Sequence, residues 1–423
     1  MNNILIALGL VAGLAFGLVA GATDSEILIQ IALGVEPLGT VFVRAIRMVV
    51  IPLVGTTIFV GVAKLGDVRK LGRLGGMALA YFWTTQFVAI LIGMGVMALG
   101  LQLAPEIPPL PVTQQAAVEL PGIVDFLMGL VPSNIFETLA DGALLPLIVF
   151  TVLFAAAAGT LEEGPRDQLV GIAEAAGEAL IKLVHWILWI APIGVFGLAA
   201  PIGVTTGWAL IQTLLVFVLS VLAALLILLT LVHFPAVKFL GKMSPVHFQR
   251  SIVGSQAIAF ATTSTPAALP VMLEEAEEKL HLDPAVATLL LSLGVSMYRA
   301  GSALFQGACV VFLAHVYAVD IPMSAIGGGL LATFLVSLTV APVPSASVMT
   351  LAPALETVGV PLDGVAILLG IDRIPDMFRT VLNATGQLAC ATVVDGQTRT
   401  TPRGEGPGGV QEGLNLGPHR SVG

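Results

Sequence analysis

VAILLGIDRIPDMFRTVLNATGQLACATVV, residues 365–394, is long and apolar enough to cross a bilayer, yet it carries Asp372, Asp376, Arg379, Asn383 and Gln387. At roughly 100° per residue these polar positions fall on one face of a helix. A charged side chain at mid-bilayer costs on the order of 2.5–3.5 kcal/mol even on the lenient insertion scale, so the acids and the base must face protein, water or ligand. An acid one turn before a base suits a small zwitterion, each of whose charges meets its opposite. The alternative, from this stretch alone, is a self-satisfied ion pair that locks two helices.

Composition places the rest of the chain in the same environment. Of 423 residues, 57% are hydrophobic and 11% charged, whereas a soluble domain carries about 25% charged residues. The sequence therefore reads as an all-α polytopic membrane protein whose first partner is the lipid bilayer. Two cysteines, Cys309 and Cys390, both lie in apolar runs and indicate neither a disulfide framework nor a metal site. A formal net charge of -9 without a basic cluster argues against nucleic acid, and the six histidines lack the HExxH spacing of a metalloenzyme.

Six apolar runs precede residue 240, at 4–19, 41–63, 77–103, 123–161, 179–200 and 208–232. Most approach or exceed the roughly 20 residues needed to cross. The first has no basic segment ahead of it and reads as an uncleaved span instead of a signal peptide. Lys64, Arg69, Lys70 and Arg73 follow the second run and Lys238, Lys242 and Arg250 the sixth, while Glu106 and Glu119 mark the loop after the third. The positive-inside bias puts the amino terminus in the cytoplasm. Residues 396–423, rich in Gly, Pro, Thr and Arg, read as a disordered cytoplasmic tail.

Beyond residue 240 the pattern changes. Ala261-Thr262-Thr263-Ser264-Thr265-Pro266 and Ala341-Pro342-Val343-Pro344-Ser345-Ala346-Ser347 interrupt two apolar stretches, and neither can run through as an undisturbed helix. Each interrupted stretch precedes a full span, 286–319 and 365–394. Two copies of a hairpin-plus-helix unit are the mark of an internal repeat with a site at the membrane midplane. Irregular backbone at that depth survives only against protein or a water-filled cavity, so both tips should approach the charged stripe. Pro-kinked ordinary spans are the alternative.

With these features the chain resembles the dicarboxylate/amino acid:cation symporter family, which includes glutamate and neutral amino acid transporters. The likeness runs over about residues 4–395 and includes Val41-Phe42-Val43-Arg44, Val131-Pro132-Ser133-Asn134, Ala191-Pro192-Ile193-Gly194-Val195-Phe196 and residues 370–394. It implies eight transmembrane helices plus two re-entrant helical hairpins with inverted repeats, assembled as a homotrimer and working as an elevator. Helices 1 and 2 (1–74) and 4 and 5 (123–206) would form the scaffold. Helix 3 (75–104) and residues 207–395, comprising helix 6, hairpin one, helix 7, hairpin two and helix 8, would form the moving transport domain. The implied location is the plasma membrane of a prokaryote.

The same resemblance assigns substrate contacts. Asp376 matches the carboxylate that holds the substrate amino group, Arg379 the guanidinium for an acidic side chain, and Thr380 and Asn383 the surrounding polar groups. The chemistry agrees, since a guanidinium fork pairs with a carboxylate and an aspartate complements an ammonium. Family members for simple dicarboxylates lack an acid at the Asp376 position, so aspartate or glutamate is the implied ligand. Ser264 and Thr265 match the hairpin-one tip, Val343 and Ser347 the hairpin-two gate, and Ser302 closes the substrate-binding set.

Helix 7 departs from the family. Where the family has Asn-Met-Asp-Gly-Thr at its sodium sites, this chain has Tyr298-Arg299-Ala300-Gly301-Ser302. A second sodium-binding aspartate, on helix 8, is replaced by Gln387. Tyr81, Thr84 and Thr85 still match a sodium-site wall, but hydroxyls without an anionic partner make a poor cage for a hard cation. Loss of two carboxylates and gain of a guanidinium move the fixed charge by three positive units, comparable to about three sodium ions. Arg299 is therefore expected to act as a tethered cation, with no resident cofactor, in a sodium-independent carrier. The alternatives are that Arg299 merely pairs with Asp372 while sodium is held by carbonyls of hairpin two, or that Asp372 or Asp376 carries a proton in a coupled symporter. A substrate-gated anion channel or membrane sensor is the reading from another class. An enzyme finds no support, because no nucleophile–base pair accompanies the stripe.

Overall fold

The computed structural model describes residues 2–65, 72–110, 128, 131–141, 144–206, 208–338, 340 and 345–399. Among them all regular structure is helical. Val343, Pro342, Arg69, Lys70, Glu119 and residues 400–423 of the expected tail lie outside the described residues.

One group of helices is built on α1 (Asn2–Ala22), α3 (Glu36–Leu65) and a long α7 (Glu163–Thr206), with the short α2 (Glu26–Gly34) between the first two. α7 bends by 54° between Glu163–Val184 and Trp189–Thr205. Pro192 accounts for the bend, because it lacks an N–H and its ring crowds the carbonyl one turn earlier, that of Leu188. Gly9, Gly13 and Gly17 of α1 lie against the α7 backbone, and a Cβ at Gly13 would sit 2.8 Å from the Phe196 carbonyl oxygen. Small residues every fourth position let two apolar helices touch without a hydrophobic driving force. Within the run expected as a span over 123–161, the described helices are α5 (Ile135–Asp141) and α6 (Leu144–Gly159), and residues 142–143 lie outside the described residues.

A second group surrounds α4 (Gly72–Leu101), α8 (Trp208–Leu228) and the remainder of the chain. α8 continues into two π-helical turns, Leu229–His233 and Ala236–Leu240, on either side of Pro235. Such turns re-aim side chains within an otherwise continuous helix, and here His233 is brought inward and wholly buried.

After α9 (Pro245–Ser251), α10 (Val253–Thr262) and α11 (Thr265–Glu274) form a helical hairpin. Thr263 takes the left-handed conformation at its tip, φ 51°, and Ser264 caps α11 by accepting from the Ala267 N–H at 3.5 Å. At the open end the buried Glu275 carboxylate accepts the N–H groups of Gly254 (2.9 Å) and Ser255 (3.1 Å), satisfying the start of α10.

The span expected as continuous over 286–319 is broken. α12 (Pro284–Met297) is capped by Asp283, ends at Tyr298 (φ -96°, ψ 118°) and Arg299 (φ -142°, ψ 44°), and α13 (Ala300–Val316) starts at once. A further interrupted segment follows, α14 (Met323–Ser337), α15 (Ala346–Met349) and α16 (Ala352–Thr357). The chain closes with α17 (Gly364–Ile371) and α18 (Arg373–Thr398), so regular structure runs past residue 395. Gly72–Leu101, Trp208–Leu240 and Pro284–Val316 are each long and apolar enough to cross a membrane, and the bent α7 qualifies if taken as one span.

Candidate functional site

α18 buries its polar stripe against α12, α13 and the α10–α11 hairpin. Asp372, Asp376, Arg379, Thr380, Asn383 and Gln387 are all buried. Arg379 donates to both oxygens of Asp372, at 2.5 and 3.0 Å, and pairs with Asp376 at 2.8 Å. Its guanidinium also lies over the Phe305 ring, 4.2 Å from the centroid, a favourable placement for a desolvated cation. The ion pair of the alternative reading is therefore present, but it lies along α18 and does not lock two helices. Two acids around one base leave this trio one negative charge.

Asp376 keeps accepting capacity, since one oxygen meets Arg379 and the other lies 3.4 Å from the Ser345 N–H. Thr380 donates to the Asp376 carbonyl at 2.7 Å, which fixes its rotamer within the helix. Asn383 accepts the Gly301 N–H at 2.8 Å and lies 3.5 Å from Ser302 Oγ. Close approach makes Gly301 necessary here, because a Cβ would lie 3.1 Å from Arg379 Cα and nearer still to its carbonyl oxygen. Ser302 and Ala300 are both buried in the first turn of α13.

The break between α12 and α13 carries a second cluster. Arg299 Nη2 donates to the Val295 carbonyl at 2.7 Å, and Nη1 to the Tyr298 carbonyl at 3.0 Å and to Thr265 Oγ1 at 3.2 Å. Its expected alternative partner, Asp372, is held by Arg379 instead, and among the described residues no carboxylate pairs with Arg299. Gln387 Nε2 donates to the carbonyls of Gly294 (3.1 Å) and Tyr298 (3.3 Å). The negative end of α12 thus meets N–H donors from a guanidinium and an amide.

The Tyr298 hydroxyl lies 3.3 Å from both Thr85 Oγ1 and His233 Nε2, and Tyr81 Oη lies 2.9 Å from His233 Nδ1. Thr84 does not join them, because one position along α4 turns its side chain to the exposed face. Thr265 meets Arg299, whereas Ser264 serves as the α11 cap. Ser347 is buried, and its carbonyl accepts from Gln306 Nε2 at 3.1 Å, which also reaches Thr350 Oγ1 at 3.1 Å.

Sequence reasoning missed Gln86, His233, Gln306 and Arg373. Gln86 Oε1 accepts the Arg299 backbone N–H at 3.2 Å, and Arg373 Nη1 lies 3.5 Å from Thr263 Oγ1 at the hairpin tip. Each is a polar residue in or beside an apolar run, a signal strong enough to find them had every such residue been weighed as the α18 stripe was.

Chemically the arrangement offers a carboxylate with spare lone pairs, a buried trio of net charge minus one, and a buried guanidinium facing uncharged oxygens. The sequence model of the sodium:dicarboxylate symporter family matches residues 3–397. The chain is 31% identical over 407 residues to the proton/sodium-glutamate symport protein of Geobacillus stearothermophilus, covering 93% of this chain and 94% of that protein. It is 31% identical over 376 residues to the proton/glutamate-aspartate symporter of Escherichia coli strain K12, covering 85% and 84%. It is 29% identical over 370 residues to the C4-dicarboxylate transport protein of Bacillus subtilis strain 168, covering 85% and 86%.

Proposed function

The chain belongs to the sodium:dicarboxylate symporter family, and we propose that within it this protein is a carrier of acidic amino acids that needs no bound sodium. Asp376 receives the ammonium group of the substrate, and the guanidinium groups of Arg379 and Arg299 supply positive potential for its carboxylates. Relatives named for glutamate and aspartate support an amino acid over a plain C4-dicarboxylate. So does the acid at position 376, which a ligand without an amine has no use for.

One observation carries the sodium independence. A hard cation needs several oxygen ligands, normally with a carboxylate among them. At the end of α12 the Gly294, Val295 and Tyr298 carbonyls already accept from Gln387 and Arg299. α13 and α18 contribute Ala300 and Gln387 where carboxylates would stand. These residues do not fit sodium, and the tethered guanidinium and amide do its electrostatic work at the dipole's negative end. The carrier then equilibrates substrate across the membrane instead of concentrating it on a sodium gradient.

The test is calorimetric titration of purified, detergent-solubilised protein with L-aspartate, in choline chloride and then in sodium chloride at matched ionic strength. Equal affinity in the two salts is the expected result, and binding confined to sodium overturns it. Proton coupling is the second reading, favoured by relatives named as proton symporters. Uptake driven by an imposed pH gradient at fixed sodium would select it over simple exchange. An elevator motion of α4 and residues 207–395 in a homotrimer, with the amino terminus in the cytoplasm of a prokaryote, completes the proposal. Counterflow of labelled against unlabelled aspartate in vesicles separates a carrier from a channel or sensor.

A further inference from the structure

We propose that Arg299, the Thr265 hydroxyl and the Gln86 side-chain amide form a subsite for a carboxylate-like anion, filled in the working protein by one carboxylate of the substrate; this rests on the carrier reading above. Arg299 is 2% exposed. Among the described residues its guanidinium donates to oxygens without formal charge, those of Thr265, Tyr298 and Val295. Buried guanidinium groups persist beside an anion, because desolvation is otherwise uncompensated.

The carbonyl end of α12 compensates that charge only in part. Arg299 sits between the carbonyl end of α12 and the amide end of α13, and these two partial charges oppose one another. An approaching anion therefore meets a full guanidinium charge together with the start of a 17-residue helix.

Gln86 adds an independent observation. Its side chain is wholly buried, and Oε1 accepts the Arg299 N–H, which leaves Nε2 without a hydrogen-bond partner. Turning the amide over would set its N–H against the Arg299 backbone N–H, so the side-chain group left without a partner is a donor. A buried donor without a partner, on the side chain that holds the Arg299 backbone, and a guanidinium that meets no carboxylate among the described residues together make a donor set for an anion.

The subsite is continuous with the α18 stripe. Thr265 opens α11 at the hairpin tip, and Gly301, two residues after Arg299, donates to Asn383. Arg379 is already bracketed by two acids, so a ligand carboxylate meets less competition at Arg299. The negative Asp372–Arg379–Asp376 trio draws the ammonium group of the same ligand to Asp376. A zwitterion so bound lies across the break between α12 and α13.

The experiment uses the full chain in chloride-free HEPES buffer of low ionic strength, titrated with L-aspartate, and compares wild type with Gln86→Glu and Gln86→Leu. Gln86→Glu places a tethered carboxylate beside Arg299. It is expected to raise the unfolding midpoint while weakening aspartate binding by about thirtyfold, whereas Gln86→Leu weakens it by about tenfold. Adding choline chloride separates the sources of the anion. A wild-type affinity unmoved by chloride assigns the subsite to the substrate. Chloride-strengthened binding in wild type but not in Gln86→Glu keeps the subsite and assigns it to an inorganic anion. Affinities within about threefold of wild type in both variants, with no response to chloride, overturn the proposal. If wild type binds no aspartate in any medium the carrier reading falls, and the chloride shift of the unfolding midpoint in wild type against Gln86→Leu still decides the subsite.

Discussion

Asp372 holds Arg379 by both oxygens, at 2.5 and 3.0 Å, although seven residues separate them in sequence. Asp372 stands at the joint between α17 and α18, so the pair ties the start of α18 to its second turn. Asp376, between them, takes a single contact with the same guanidinium. Removing Arg379 alone leaves two neighbouring buried carboxylates without a counter-charge. Arg379→Met is expected to cost about 3–5 kcal/mol of stability, and Asp372→Asn in the same chain to recover part of that loss. Unfolding midpoints in detergent for the two single variants and the double variant give the comparison. Additive losses would mean that the two residues are not coupled.

On the proposed carrier reading, Asp376 is expected to decide whether the ligand must carry an amine. Its two oxygens receive one contact from Arg379 and a long one, 3.4 Å, from the Ser345 N–H, which leaves lone pairs for an ammonium group. Asp376→Asn is expected to weaken L-aspartate binding by about 2–3 kcal/mol, some thirtyfold or more. Succinate, which has no amine, should bind the variant at least as well as it binds wild type. Parallel titrations with the two ligands measure the ratio, and equal losses for both would remove the ammonium role.

The buried polar stripe of α18 was legible because charge inside an apolar run has few explanations, and the α10–α11 tip because Thr-Thr-Ser-Thr-Pro cannot sustain a helix. The break at Tyr298–Arg299 was not. Residues 286–319 are apolar on both sides of it, and the chain parts there because Gln86, Gln387 and Asn383, from other helices, satisfy the freed backbone groups. Arg299 was recognised as a cation, but its partners were not, since position in sequence does not reveal that Arg379 claims Asp372 first. The inward turn of His233 depends on two π-helical turns around Pro235, and no periodicity announces those. Helix boundaries fared unevenly for a similar reason. A hydrophobic run such as 286–319 reports depth in the membrane and says little about where a helix stops.

Tyr298 and Gly386 are matched in size. A Cβ at Gly386 would collide with the Tyr298 ring at its Cε1 and Oη atoms, and the ring is wholly buried beside Phe82, 5.0 Å between centroids. Gly386→Ala is therefore expected to destabilise the protein by about 1–3 kcal/mol through overpacking. Tyr298→Asn removes the ring and should make the same glycine change nearly neutral. Thermal midpoints of the four proteins test the coupling, and a Gly386→Ala cost that persists in the Tyr298→Asn background would place the strain elsewhere.

Sodium dependence should be transferable by returning the oxygen ligands that this chain lacks. In wild type the Gly294 and Tyr298 carbonyls accept from Gln387, and the Val295 and Tyr298 carbonyls from Arg299. The triple variant Arg299→Met, Ala300→Asp, Gln387→Asp withdraws those donors and restores two carboxylates beside the same carbonyls. Without a cation the variant holds uncompensated buried negative charge, which repels a dicarboxylic ligand. Aspartate binding should then vanish in choline and return in sodium, and sodium alone should raise the unfolding midpoint through linkage to the folded state. Titration of the variant in the two salts reads both effects. Binding in choline at wild-type affinity would show that the three positions do not determine the cation requirement, and the role given to Arg299 and Gln387 would have to be abandoned.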